Sequence, residues 1–327
     1  MRAISLFSGG LDSMLAIKLI TSQGVDVTAL HIFTGFGATK DIRDELKKRA
    51  KMAGADFLSV DVREEYIQKI LFDPVYGYGK NFNPCIDCHG YMFKIAKKML
   101  KDLDASFLVT GEVVGQRPMS QRKEALEQVR KLAEDKEKLI LRPLSAKLLE
   151  PTTPEIKGWV DREKLLDISG RSRERQLAMA KEFGWEDYES PAGGCLLTEP
   201  VYSQKIREFI EYEEFSVEAI ELLKYGRHFR LEDGAKLIVG RDKDENIKLQ
   251  NINHPNYTSF RVPIIGPTSL VNKNASIKDL ELAAKIAITY AKSQKDKSYR
   301  VKILDYEFDV TPFESKTQTH KYLINKN

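Results

Sequence analysis

The segment Ser8-Gly9-Gly10-Leu11-Asp12-Ser13 follows the apolar run Ala3-Ile4-Ser5-Leu6-Phe7 and opens an amphipathic stretch carrying Leu11, Met14, Leu15, Ile17, Leu19 and Ile20. That order reads as strand, tight turn, helix. It constrains the chain strongly, because a strand feeding a helix in this way is the opening unit of a parallel α/β sheet. The glycines let the backbone close around an anion. N–H groups of the turn and of the first helical turn then point at that anion, aided by the helix dipole. Ser8 and Ser13 add hydroxyl donors. Asp12 is the odd member, since a carboxylate repels polyphosphate unless a divalent cation bridges the two, so Asp12 reads as a Mg²⁺-linked group. No lysine follows the glycines, which excludes a Walker loop.

Alternation continues along the first half. Strands are expected at 2–7, 26–33, about 57–62, 106–110 and 139–141, with helices at 11–22, about 40–53, 89–103 and about 120–135. This pattern gives a parallel sheet with helices on both faces, whose ligands bind outside the carboxyl ends of the strands. Gly9, His31 and Gly111 all fall at such ends. Helices are expected at 155–168 and 172–183, then the loop Ser190-Pro191-Ala192-Gly193-Gly194-Cys195, then helices at about 200–213 and 216–225. From about residue 227 the texture changes to short strands around Asp233-Gly234, a strand at 257–265, a helix at 276–291 and a terminal strand pair at 299–304 and 306–310. The expected division is a catalytic domain over 1–200, a helical linker over 201–227 and a small α+β domain over 228–327, its last dozen residues frayed.

At 327 residues, 42% hydrophobic and 31% charged, the composition is that of a water-soluble protein of two domains. No segment has the apolar length of a membrane span. Met1-Arg2-Ala3-Ile4 runs straight into the first strand and leaves no room for a secretory leader, so a cytoplasmic location is expected. The net charge of +4 permits a polyanionic partner without demanding one. Three cysteines in such a chain exclude a disulfide framework, and all three stand in motif-like settings: Cys85 and Cys88 in Asn83-Pro84-Cys85-Ile86-Asp87-Cys88-His89, and Cys195 after Gly193-Gly194.

The hexapeptide at 8–13 resembles the SGGxDS loop of the PP-loop ATP pyrophosphatases, which implies an adenine nucleotide α-hydrolase-like fold, ATP and Mg²⁺, and adenylation of a substrate oxygen with release of pyrophosphate. Three further segments narrow the likeness. The CxxC-led stretch from Cys85, the run Thr110-Gly111-Glu112-Val113-Val114-Gly115-Gln116 followed by Ser120-Gln121, and Leu141-Arg142-Pro143-Leu144 resemble the tRNA 4-thiouridine synthases. Cys195 then falls where those enzymes carry a catalytic cysteine. The tRNA 2-thiouridylases share the loop and an Asn-Pro-x-x-x-Cys element, here Asn83-Pro84 through Cys88. The 4-thiouridine synthases place an RNA-binding region before the loop. Here the loop begins at residue 8, and Leu231-Glu232-Asp233-Gly234 with Val239-Gly240-Arg241-Asp242 and Asn246 is similar to an NFACT-R-type RNA-binding domain, which would stand in for it.

The resemblance implies a transferase that replaces a uridine carbonyl oxygen of tRNA by sulfur, 4-thiouridine first, with a 2-thiouridylase or a small-molecule PP-loop amidotransferase or ligase as rivals. Ser8, Gly9, Gly10, Asp12 and Ser13 would hold ATP, with Gly111 admitting the close approach of nucleotide or substrate. His31 is assigned to the adenosine side, a satisfied structural histidine being the alternative. Gln116, Ser120 and Gln121 would orient base or phosphates, with helix capping as the alternative for Ser120. Cys85, Cys88 and Cys195 admit four readings. They could ligate a [4Fe–4S] or [3Fe–4S] cluster, form a persulfide relay with Cys195 as carrier and Cys88 as resolver, bind zinc with His89, or be an incidental reduced pair. Likeness to three-cysteine thiolation enzymes points to the cluster. A sulfur donor is then needed, either a cysteine desulfurase persulfide or sulfide, and a homodimer is compatible. The arginines at 117, 122, 162, 171, 173 and 175 alternate with acidic residues and read as a solvated face rather than a phosphate track. Lys292, Lys295, Lys297, Arg300 and Lys302, with Tyr299, have the better claim to RNA phosphates.

Overall fold

The computed structural model describes residues 1–37, 42–189 and 194–324, which form two compact units, Met1–Thr198 and Glu199–Asn327. In the first unit, β1 (Arg2–Leu6), α1 (Leu11–Thr21), β2 (Asp26–Phe33), α2 (Arg43–Ala53) and β3 (Asp56–Asp61) alternate as the apolar periodicity requires. A short helix α3 (Arg63–Tyr66) runs on into a π-turn at Ile67–Leu71. Then come α4 (Cys85–Lys98), β4 (Phe107–Thr110), α5 (Lys123–Leu132) and β5 (Ile140–Leu141), followed by α6 (Thr153–Ile156) and α7 (Glu174–Glu182).

The five strands pair in parallel in the order β3-β2-β1-β4-β5. The chain therefore winds outward from β1 in one direction, then returns to start again at β4. Between β1 and β4 lies the switch point where such sheets open a crevice at their carboxyl ends. Ala3, Leu11, Leu15, Ile17, Phe107 and Val109 are buried in the core there and fix the α1 entry.

Three differences from the expected elements have local causes. Helix α4 begins at Cys85, so the cysteine pair lies in its first turn instead of ahead of it. The helix expected at 155–168 is a single turn. Thr152 and Glu155 form a capping box, but Gly158 takes φ +64° and ends it, and Arg162 turns back to the carbonyls of Ala146 and Leu149. The terminal residues do not fray up to Ile324, since Arg230 N–H donates to Tyr322 and Ile324 N–H to His228.

In the second unit α8 (Pro200–Ile210) and α9 (Val217–Lys224) precede a four-stranded antiparallel sheet ordered β6 (Arg227–Arg230), β7 (Lys236–Val239), β9 (Thr268–Asn272), β8 (Tyr257–Arg261). Both helices of the 201–227 stretch thus lie within this unit. Helix α10 (Lys243–Asn251) and β9 were not foreseen, while α11 (Ile277–Thr289) and the hairpin β10 (Tyr299–Ile303) and β11 (Tyr306–Val310) match expectation. Apolar residues of α11, including Leu280, Ala283, Ala284 and Ile288, pack with Phe229, Leu237 and Val271 of the sheet. On α8, Glu208 ion-pairs with Arg230 and the fully buried Lys236, and Tyr257 donates to Glu213. A polar layer therefore sits inside this unit.

Candidate functional site

Geometry forces the glycines of the phosphate-type loop. Gly9 takes φ +77°, and a Cβ there would sit 2.3 Å from Leu46 Cδ2. Gly111, at the end of β4, has no room for a side chain either, because its Cβ would lie 2.5 Å from backbone atoms of Asp12 and Ser13. The loop after β4 is thereby pressed against the start of α1. Of the hydroxyls, Ser8 Oγ accepts from Gly10 N–H at 3.3 Å and Ser13 Oγ donates to the Gly10 carbonyl at 2.7 Å. Ser13 thus spends its proton inside the loop. The first-turn N–H groups of α1 have no intrahelical acceptor, as at any helix start.

Asp12 is the hub of a polar cluster. Its Oδ2 accepts from Gln116 Nε2 at 2.7 Å and faces Arg173 Nη2 at 3.5 Å, while Gln176 Nε2 donates to Gln116 Oε1 at 3.2 Å. Asp12 Oδ1 is buried and has no partner among the described residues. A dry carboxylate oxygen with no donor is what a hard cation takes. The chemistry fits Mg²⁺, which binds one or two carboxylates plus substrate phosphates. Among the described residues no group of three or more His, Cys, Asp or Glu side chains is gathered to hold a metal ion by protein ligands alone.

His31 lies one strand over on β2, its Nδ1 3.1 Å from the Phe7 carbonyl. Burial lowers its pKa against the raising effects of that carbonyl and of Glu189, so the neutral imidazole is favoured. With Nδ1–H donated to Phe7, Nε2 is left as an acceptor. Gln121 is held by the Arg117 N–H, and Ser120 is buried and does not cap α5, whose N-cap position is Arg122.

The three cysteines lie on two neighbouring chain segments, and among the described residues they are not gathered closely enough to hold a metal ion. Tyr66 hydrogen-bonds Cys88. Leu196 N–H donates to the Phe36 carbonyl, and Asn81 Nδ2 to the Thr198 carbonyl at 2.6 Å, which anchors the Cys195 segment beside the Cys85 loop. Asn83 Nδ2 lies 3.2 Å from Cys85 Sγ. Cys195 is exposed by surface area, yet the protein packed around its sulfur pushes the thiol up to about 12, and burial pushes Cys88 higher still. Ser190, Pro191, Ala192 and Gly193 of the expected loop lie outside the described residues.

His89 is not gathered with the cysteines into a metal-holding group among the described residues. His89 Nδ1 is 2.8 Å from Glu112 Oε1, whose other oxygen takes Arg142 Nε at 3.0 Å. Three motif segments thus meet on one buried carboxylate. Burial opposes its ionisation, but Arg142 and His89 outweigh that and hold Glu112 below the usual carboxyl range. Neither Glu112 nor Arg142 was singled out from the sequence, although both sit in the motif runs. Asp87 was also missed. It is buried and accepts from the Val75 and Tyr76 N–H groups, tying the turn at 73–79 to the start of α4.

The basic surfaces divide. Arg162 and Arg175 are engaged with Glu155 and Asp167, whereas Arg173 faces Asp12. In the second unit Tyr299 is buried, with its hydroxyl accepting from Gln294 N–H, so it does not stack a base, and Arg300 pairs with Asp309. The residues of the RNA-domain-like motif are largely internal ties: Asp242 caps α10 and Asn246 Oδ1 accepts from Thr268 N–H. Among the described residues no helix is long and apolar enough to cross a membrane.

Comparison with known proteins finds two family models. Residues 1–148 match the family described as thiamine biosynthesis protein (ThiI), and residues 226–323 match the NFACT protein RNA binding domain. Both resemblances read from the motifs are thus met by the models. A probable tRNA sulfurtransferase of Thermococcus kodakarensis is 32% identical over 120 residues, covering 35% of this chain and 30% of that protein. A tRNA-specific 2-thiouridylase MnmA of Petrotoga mobilis is 32% identical over 114 residues, covering 30% of this chain and 31% of that protein. The match thus spans about a third of these relatives. Among solved structures, a 4-thiouridine synthetase–RNA complex with bound ATP aligns with a TM-score of 0.41 and 19% identity over 68% of this chain and 52% of that one.

Proposed function

We propose that the protein is an ATP-dependent tRNA uridine sulfurtransferase. The observation that carries this is the glycine loop that opens α1 at the β1/β4 switch point, with the unpartnered, buried Asp12 Oδ1. Relatives named for tRNA thiolation and an RNA-binding family match on the second unit support the choice of substrate. A uridine carbonyl oxygen is a poor leaving group. It would attack the α-phosphorus of ATP, pyrophosphate would depart, and a sulfur nucleophile would then displace AMP from the ring carbon. Gly9, Gly10 and the first turn of α1 would hold the β- and γ-phosphates, and Asp12 the cation that offsets their charge. His31 would face the adenosine through its free Nε2.

Cys85, Cys88 and Cys195 are thiolate donors of the kind that ligate an iron–sulfur cluster, and drawn together they would supply three of its ligands. Such a cluster would supply an iron open to hydrosulfide. Thiolation at the 4-position is the first choice, and the 2-position is the second, favoured by Asn83-Pro84 through Cys88 and by the 2-thiouridylase relatives.

Pyrophosphate release from Mg-ATP with unmodified tRNA tests the adenylation step. The wild-type protein releases it only with tRNA present, and Asp12→Ala, a change in the first turn of α1 and not in the packed core, abolishes release with the fold intact. Near wild-type release by Asp12→Ala would overturn the mechanism.

A further inference from the structure

The loop at 8–13 contains no lysine or arginine, so the positive charge that a polyphosphate needs must come from elsewhere in the chain. Resting on the reading of that loop as an ATP site, we infer that Arg173 supplies it as a phosphate-binding residue, while Gln176, one helical turn further on, positions Asp12 through Gln116. Both residues lie past the stretch matched by the ThiI family model.

An ionised carboxylate only accepts, so Gln116 must present Nε2 to Asp12 Oδ2, at 2.7 Å. Gln116 Oε1 is then the acceptor for Gln176 Nε2 at 3.2 Å, which leaves Gln176 Oε1 without a donor. Asp12 thus dictates the polarity of the whole chain, and neither amide can be turned over without breaking it. Gln176 is 0% exposed, and its orphaned oxygen is buried together with Arg173 Nε and Asp12 Oδ1, none with a partner among the described residues.

Leaving three such groups dry and unpaired is costly, and a site that does so is built for something else. The set asks for an anion oxygen at Arg173 Nε, a cation at Asp12 Oδ1 and a donor at Gln176 Oε1. A magnesium-bound polyphosphate with its coordinated water offers all three. Arg173 and Gln116 both address Oδ2, so the oxygen left for the cation is not contested. Arginine also suits the task because its fork can hold Asp12 by Nη2 and a phosphate by Nε at once. The bland alternative is one internal water bonded to Arg173 Nε and Gln176 Oε1.

The test is equilibrium binding of Mg-ATP and of inorganic tripolyphosphate by Arg173→Met, Arg173→Lys and Arg175→Met, with adenosine as the probe lacking phosphate. Arg173→Met loses about tenfold or more in affinity for both phosphate ligands and none for adenosine. Arg173→Lys regains part of it, and Arg175→Met, which removes only the exposed pair with Asp167, changes nothing. A second measurement needs no substitution for its readout. In the wild-type chain labelled at arginine, the Arg173 Nε–H resonance shifts on adding tripolyphosphate, its assignment given by Arg173→Lys. Wild-type affinity in Arg173→Met, or an unmoved Arg173 signal in a protein that binds tripolyphosphate, overturns the inference and leaves a water as the occupant. A wild-type chain that binds neither ATP nor tripolyphosphate overturns the ATP-site reading itself, and this inference with it.

Discussion

Glu112 shows at the residue scale how one buried carboxylate can tie motifs together. It joins the Thr110-Gly111 loop to Arg142 and His89, and it is 4% exposed. Removing it leaves Arg142 buried with no counter-charge, and Arg142 Nη2 already has no partner among the described residues. Glu112→Ala is therefore expected to cost about 3–5 kcal/mol of first-unit stability. Trp159 and Trp185 both lie in that unit, so the urea midpoint read by tryptophan fluorescence reports it. Because the folded-state pKa of Glu112 is depressed, its contribution is present above the unfolded carboxyl pKa and is lost as pH falls below it. The gap between wild type and variant should hence close in acid. An unchanged midpoint for Glu112→Ala at neutral pH contradicts this role. Sequence reading found the run containing Glu112 but not the residue's task, since its partners come from α4 and from the segment after β5. Asp12 was legible because its oddity is local. Arg173 was not, because alternation with acidic neighbours is the pattern of a solvated face and only the fold turns that side chain toward Asp12.

Among the elements, the sheet of the first unit was readable from period and glycine placement, and the helix over 155–168 was not, because Gly158 at φ +64° ends the turn that the capping box starts. Helix α8 is the least expected in its chemistry. Lys205 donates to the carbonyls of Leu223 and Gly226 from a buried position, and burial lowers its pKa to about 7. Its folded pKa lies below the unfolded one, so the unfolded chain binds more protons between about pH 7 and the unfolded lysine value. Stability consequently rises with pH across that window. By far-UV circular dichroism in urea, the wild type should gain on Lys205→Met between pH 7 and pH 9, and a difference that stays flat contradicts the buried-lysine account. The two segments bearing the cysteines make their own prediction. If Cys85, Cys88 and Cys195 act as one ligand set, anaerobic purification gives a brown protein with roughly three to four irons, and each single Cys→Ala change loses iron and thiolation together. A colourless protein with an active Cys85→Ala variant ends the cluster reading in favour of a relay.

For the whole molecule, two units are joined in one chain, one with an ATP-type loop at a sheet switch point and one matched by an RNA-binding family. The division of labour proposed from this is that the second unit brings the tRNA and the first performs adenylation and sulfur transfer. The surface by which the second unit would meet RNA was only partly legible from composition: Tyr299 turned inward and Arg300 paired with Asp309, while Lys292, Lys295, Lys297 and Lys302 of the same run are exposed. The central claim is that this chain places sulfur on a tRNA uridine. Mass spectrometry of nucleosides from the tRNA of cells lacking the gene, compared with cells carrying the wild-type gene or Asp12→Ala, tests it most directly. One thiolated uridine, 4-thiouridine by the first choice, should vanish on deletion, return with the wild-type gene and stay absent with Asp12→Ala. A full complement of thiolated uridines in the deletion strain would contradict the account.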